Sequence, residues 1–294
     1  MAVRSGTWPR QASHYRLPEL LADIRLLDLL ELSGSTRQAS RLLQLSQPTV
    51  SRRYRALAQD FELQPQPGTG QACCFGNNAT MRLLRQSCRC HRLQAGVARL
   101  GSDLLHHGLL EELPWLLPTP IRFRPVRQWL DLVRQGVLDG ALVSQLELDR
   151  EPRREPLERE LELHPLGQLP LALAWSTDQE PQTGNAPPRV LVPADELASG
   201  LRTLLSRQGW TLRSVGPGCV TPDHWRQQLR RSGCAMPMGS TGRQEDNRSP
   251  DLGWLPLADG VVSPVWLALP EGSVHEPLLR HTLERLRGIP ALAC

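Results

Sequence analysis

The sequence contains no lysine: its 34 strongly basic side chains are all arginine. Chemistries that need a primary side-chain amine are therefore excluded, among them Schiff-base formation, pyridoxal-phosphate anchoring and the lysine of a phosphate loop. No apolar run approaches the ~20 residues of a membrane span, and the opening MAVRSGTWPRQASHYRLPEL lacks the apolar core of a signal peptide. A cytoplasmic protein with no membrane association is expected. Seven cysteines form an odd set without disulfide-framework spacing, which predicts reduced thiols in an intracellular chain. Cys73, Cys74, Cys88, Cys90 and His91 cluster, with Cys88 and His91 one helical turn apart. No CxxC knuckle accompanies them, so no metal site is predicted. Cys219 and Cys234 read as a redox pair or as inert buried thiols, and the sequence leaves both open. No Ser/His/Asp grouping, metal motif or phosphate loop is present. Gly216-Pro217-Gly218 is an isolated turn signal, and Asp103, His106 and His107 read as ligands or, more simply, as solvated helix-end residues. No catalytic residue, cofactor or enzymatic activity is predicted.

At 294 residues, with 40% hydrophobic and 22% charged residues, the chain suits two or three globular units, each with a core of ordinary size. Its formal charge of +4 hides an asymmetry. Residues 1–100 hold 14 arginines against 6 acids, whereas residues 101–294 hold 20 arginines against 24 acids. A positive field at one end favours a polyanionic partner there.

Within that basic end, Ser35 to Leu57 is the most informative stretch. Ala39, Leu42 and Leu43 recur at helical steps while Arg37, Gln38 and Arg41 face away. Ser46 then offers an N-cap oxygen, and Pro48 sits in a first turn where its missing N–H costs no helical hydrogen bond. A second helix from Gln47 follows, burying Val50, Tyr54 and Leu57. Gln47, Thr49, Ser51, Arg52 and Arg55 are left pointing outward. Two short helices with a tight turn and such a face have the form of a helix-turn-helix: amide and guanidinium groups near the second helix's start suit base edges in the major groove. Arginines further along suit phosphates. A basic, solvated helix pair without DNA is the plainer alternative.

The run Ile24–Leu63 resembles the N-terminal domain of LysR-type transcriptional regulators, and Ser46-Gln47-Pro48-Thr49-Val50-Ser51-Arg52 is similar to that family's recognition-helix signature. The resemblance implies that Ser46, Gln47, Pro48, Thr49, Ser51 and Arg52 approach double-stranded DNA, with Ser35, Thr36 and Arg37 touching its backbone. Tyr54 departs from the smaller aliphatic residue usual in the family.

Around this segment the chain divides into a mobile arm (1–18), a winged helix-turn-helix unit (19–77), a linker helix (78–106) and an α/β regulatory half (107–294). A helix over Glu19–Leu32, stopped by Gly34, precedes the reader, and Gly68-Thr69-Gly70 marks the tip of a wing hairpin. Asn78 caps a long helix predicted over Ala79–Leu105, with Met81, Leu84, Cys88, Leu93, Val97, Leu100 and Leu104 on its stripe. It resembles the family's dimerisation linker, which implies a homodimer or homotetramer; packing within one subunit is the alternative.

Strands at Ile121–Phe123, Gly140–Ser144, Leu169–Trp175, Arg189–Val192 and Val265–Leu269 alternate with helices at Val126–Gln135, Leu201–Gln208, Asp223–Arg231 and His275–Arg287. Weaker strand signals fall at Val215, Ala235–Met238 and Leu252–Leu257. An α/β unit with a largely parallel sheet is predicted, so the whole chain reads as an α+β multidomain protein. Leu130–Leu142, Leu161–Trp175 and Trp254–Leu269 resemble the LysR-type effector domain. That implies the two-lobed fold of periplasmic binding proteins and a small-molecule effector. One departure stands out: Gly108–Pro125 leaves little room for the family's first strand–helix unit, so effector contacts are not assigned. The leading expectation is a DNA-binding regulator under effector control. A DNA-binding protein with a ligand-free C-terminal module, and a solute-binding protein or enzyme on the two-lobed fold, stand as alternatives.

Overall fold

The computed structural model describes residues 11–65, 73–111, 113–149, 160–178, 189–216, 220–240, 252–257 and 261–292. After a 3-10 turn at Glu19–Leu21 come α1 (Ala22–Ser33), α2 (Thr36–Leu43) and α3 (Gln47–Asp60). Gly34 ends α1 in the left-handed conformation, φ 68°, which glycine adopts without strain. Ile24, Leu27, Leu57, Leu63, Met81 and Cys88 form one apolar cluster of this unit, and Leu26, Leu30, Ala39 and Val50 form a second. The wing tip at Gly68–Gly70 lies outside the described residues.

Helix α4 spans Ala79–Gln94, with Asn78 accepting from the Met81 N–H. It is shorter than the predicted Ala79–Leu105. Gly96, at φ 76°, turns the chain, and Leu100–Gly101 forms β1. The apolar spacing had continued through Val97, Leu100 and Leu104, so periodicity alone hid the break. Strand β1 is the sheet strand that the sequence seemed to lack before Val126. Its companion helix is reduced to a 3-10 turn at His107–Leu109.

The C-terminal half continues with α5 (Val126–Arg134), β2 (Gly140–Ser144), α6 (Gln145–Leu148), β3 (Leu161–Ser176), β4 (Val190–Val192), α7 (Asp195–Arg207) and β5 (Leu212–Ser214). It closes with α8 (Pro222–Ser232), β6 (Met236–Gly239), β7 (Leu252–Pro256), β8 (Val262–Pro270) and α9 (Pro277–Arg287). The main sheet runs β1-β2-β8-β3-β6, with β7 also on β3; β4 and β5 form a separate pair. The expected parallel arrangement holds for β1–β2 and β4–β5. It fails for the long strands: β2–β8, β3–β8, β3–β6 and β3–β7 are all antiparallel. Ile121–Phe123 forms no strand; Phe123 N–H instead donates to Val220 O at 2.8 Å.

Strand β3 organises two lobes. Its residues Leu161–Pro170 pair with β8, and Leu171–Ser176 pair with β6 and β7. The first lobe is packed around Leu142, Leu267, Leu279 and Leu283 on one side of its sheet and Trp129, Leu130 and Leu138 on the other. The second is packed around Leu173, Val190, Leu201, Leu205 and Trp225.

An ionic cluster joins the N-terminal helical unit to the first lobe. Asp28 on α1 is 1% exposed and accepts from Arg85 Nε on α4 and from Arg99 Nη1 before β1, both at 3.0 Å. Asp139, ahead of β2, is fully buried and accepts from Arg92 at 2.6 and 3.1 Å and from the Arg99 N–H at 2.6 Å. Removing one partner of a buried pair strands the other without water or counter-charge. We expect Asp28→Ala to lower unfolding stability by about 3–5 kcal/mol, read by denaturant titration. A loss no larger than that of an exposed control such as Asp60→Ala would contradict this account.

Candidate nucleic-acid interface

The turn between α2 and α3 is built by local caps. Ser35 Oγ accepts from the Gln38 N–H at 3.2 Å, and Ser46 Oγ accepts from the Thr49 N–H at 3.3 Å. Gln44 takes φ 54° at the end of α2, which turns the chain within three residues. Val50 and Leu57 are buried, and Tyr54 is half-buried, its hydroxyl donating to Phe75 O at 2.8 Å. Tyr54 and Phe75 meet edge to face at 5.4 Å, so the larger residue at position 54 packs against Phe75.

Among the predicted DNA-facing residues, hydrogen bonds bring Gln47 to Thr36 and Ser46 to Thr49. Arg37, Ser46, Gln47, Pro48, Arg52 and Arg55 are exposed, and Ser35, Thr36, Thr49 and Ser51 are half-buried. Gln47 Nε2 donates to Thr36 Oγ1 at 3.1 Å, which ties the start of α3 to the start of α2. Arg53, behind this face, donates through Nε to Asp23 at 2.7 Å. Arg37, Arg52 and Arg55 have no carboxylate partner among the described residues.

Sequence reasoning missed how this surface is held from behind. Two arginines of the C-terminal half close the carbonyl end of α1. Arg124 Nη2 donates to Glu31 O at 2.6 Å and Leu32 O at 2.5 Å, and Arg122 Nη1 donates to Ser33 O at 2.7 Å. A helix C-terminus carries unpaired carbonyls and partial negative charge, so guanidinium groups complement it. A Cβ at Gly34 would stand 2.0 Å from Arg122 Nη1. Glu31 lies beneath, accepting from the Phe75 N–H at 2.8 Å. The only signal for these contacts was Arg122-Phe123-Arg124, an alternation with nothing to show which side turned inward.

Among the described residues the two lobes meet where α6 packs on α7. Glu147 on α6 accepts from the Gly200 and Leu201 N–H groups at 3.0 and 2.9 Å. Those groups are free because α7 breaks its helical geometry at Ala198. Burial raises the Glu147 pKa, and the two backbone hydrogen bonds oppose it. Beside it runs a polar chain: Asp103 to His106 Nδ1 at 2.7 Å, His106 Nε2 to Ser263 Oγ at 3.1 Å, and Ser263 to Ser144 at 2.9 Å. His106 is fully buried, which corrects its reading as a solvated helix-end residue. Aspartate, histidine and serine stand in the order of a nucleophilic triad. Ser263 is 1% exposed, however, and the adjoining cavity measures about 20 Å³, room for about one water.

The cysteines near α4 do not converge. Cys73 and Cys88 are buried, with thiol pKa values pushed up by burial to about 12 and about 11, while Cys90 is exposed. His91 Nδ1 is engaged by the Tyr15 hydroxyl at 3.1 Å. Cys234 is buried, and Cys219 lies outside the described residues.

No family model and no curated protein matches the sequence. Solved structures do resemble the fold. The chain is similar to a full-length OxyR variant from Pseudomonas aeruginosa at 16% identity, covering 95% of this chain and 98% of that one with a TM-score of 0.45. It is similar to full-length CbnR complexed with its target DNA at 15% identity, covering 91% and 98%, TM-score 0.47. ArgP from Mycobacterium tuberculosis is similar at 16% identity over 93% and 97%, TM-score 0.46.

Two outcomes follow from the geometry. Burial raises the Glu31 pKa from 4.5 to about 7, so the folded chain holds this proton more tightly than the unfolded one. Its contribution to stability is full below about pH 4.5 and is lost as pH rises to about 7. We expect wild type to lose on the order of 2 kcal/mol relative to Glu31→Gln across that window, measured by denaturant unfolding at about pH 5 and about pH 8. Between the lobes, a Cβ at Gly200 would lie 2.0 Å from Leu146 O. Gly200→Ala should therefore separate the lobes and lower stability by roughly 1–3 kcal/mol, with an increased radius of gyration in solution scattering.

Proposed function

We propose that the chain is a sequence-specific, DNA-binding transcription regulator of LysR type. The observation that carries this reading is the solvent face of α3. Gln47, Arg52 and Arg55 are exposed there without a carboxylate partner among the described residues, on a helix whose opposite face is anchored by Val50 and Leu57. Gln47, Thr49 and Ser51 would read base edges, with Pro48 setting the first turn. Arg52, Arg55, Ser46, Ser35, Thr36 and Arg37 would hold phosphates and fix the register. The resemblance of Ser46–Arg52 to the LysR-type recognition-helix signature supports the same use of the N-terminal unit. A two-fold operator requires two readers about one helical turn apart or a multiple of it, so a homodimer or homotetramer is part of the reading. Helix α4 packs inward through Met81, Arg85, Cys88 and Arg92 and leaves Leu83 69% exposed on its other side, available to a second copy. No helix of the described residues is long and apolar enough to cross a membrane.

A specific observation favours one qualification. Glu147 occupies the backbone donors of the cleft in which an effector would be sought, which supports the reading in which that cleft takes no ligand.

Selection of bound duplexes from random DNA, followed by gel shifts, tests the function. Wild type should enrich a two-fold sequence at physiological salt. Gln47→Ala should lose about 1–3 kcal/mol of discrimination at one base pair. Arg52→Ala should weaken binding to all sequences and flatten the salt dependence by about one unit. Absence of any enriched sequence would overturn the proposal.

A further inference from the structure

Between the N-terminal arm, α1, α4 and residues 116–118 lies a cavity of about 380 Å³, within the size range of small-molecule pockets. Three guanidinium groups line it, those of Arg25, Arg92 and Arg99, against the single carboxylate of Asp28. The imbalance extends behind the wall. Among the described residues Arg85, Arg89, Arg92 and Arg99 form ion pairs with two carboxylates, Asp28 and Asp139. Both Asp28 oxygens are already engaged, by Arg85 and Arg99, and both Asp139 oxygens by Arg92. Arg99, only 4% exposed, still leaves its Nε without a hydrogen-bond partner. Arg25 is exposed and forms no ion pair among the described residues. Buried positive charge in excess calls for an anion, and the cavity is the space beside it.

The rest of the lining is of another kind. Leu29, Leu116, Leu117 and Pro118 face the same space, so a small inorganic anion would leave this wall without contacts. We propose that the cavity binds an organic monocarboxylate with an apolar body, its carboxylate between Arg25 and Arg99 and its body against Leu29 and Leu117. The cavity is walled by α1 of the reader and by the segment after β1, so the bound molecule touches both halves at their joint. It thereby supplies a sensing site outside the interlobe cleft. Only this last consequence rests on the DNA-binding reading; ligand binding itself does not.

The test uses the full chain without DNA, by thermal shift and titration calorimetry. Phenylacetate and octanoate are the probes, phenylacetamide and octanamide their neutral counterparts, and sodium sulfate the anion without an apolar body. At least one carboxylate should give a saturable stabilisation that its amide and sulfate do not. Arg25→Gln should weaken it about tenfold or more, and Leu117→Trp, which fills the cavity, should abolish it. Neither residue belongs to the buried ion pairs, and circular dichroism melts confirm folding of both variants. The proposal is overturned if neither carboxylate shows a saturable shift, if amide or sulfate acts equally, or if both variants bind like wild type. Failure of operator selection would leave these readouts intact, so the two proposals fail separately.

Discussion

The sharing of Asp28 between Arg85 and Arg99 is the contact on which the arrangement of the molecule depends. One carboxylate in the first helix of the reader neutralises an arginine of α4 and an arginine at the threshold of the C-terminal sheet. Three sequence-distant segments are thereby brought to one point in a water-poor interior, where charge demands partners. Arg92 and Asp139 extend the same logic about two helical turns further along α4, to the strand that follows α5. Helix α4 is consequently a brace between reader and first lobe as well as a connector. Its apolar residues Met81 and Cys88 alternate with buried guanidinium groups on one inward face.

Arginine is suited to this role in a way lysine is not. Its planar fork can serve two acceptors at once and stays charged when buried. Arg92 meets both oxygens of Asp139, and Arg124 bridges two carbonyls of α1 while its guanidinium lies 5.5 Å from the ring of Trp129. A chain without lysine has built its interior from these forks. The same group performs opposite duties on the two sides of the N-terminal helices: it is hydrogen-bonded at the end of α1, whereas Arg52 and Arg55 on α3 have no carboxylate partner among the described residues.

The front of the reader was legible because its signals are local. Ser35 and Ser46 cap within three residues, Pro48 suits a first turn, and the stripe of Val50 and Leu57 needs only a period to be seen. The back was illegible because its contacts join residues far apart. Arg85 and Arg92 stand on a helical stripe where a charged residue ordinarily signals solvent, and Asp139 sits in a turn where an acid is ordinary. Gly96 was a stop signal in plain sight, but the apolar spacing on both sides of it outweighed one glycine. The antiparallel pairing of β3 escaped for a related reason: alternation of strands and helices predicts neighbours in the chain, whereas β8 returns between β2 and β3 from more than 90 residues away. Glu147 gave no hint of its partner, since backbone donors carry no sequence signature.

Arg122 and Arg124 at the end of α1 bear on how such a chain can evolve. An N-terminal unit joined through a linker can be cut there and joined to a new C-terminal half. Here the seam does not run through a linker. A fragment cut before Arg85 takes Asp28 with it and leaves its counter-charges Arg85 and Arg99 behind, and it leaves the carbonyls of Glu31, Leu32 and Ser33 uncapped. A recombinant inheriting this reader must inherit the arginines of its old companion as well, so the two halves are bound to a shared history.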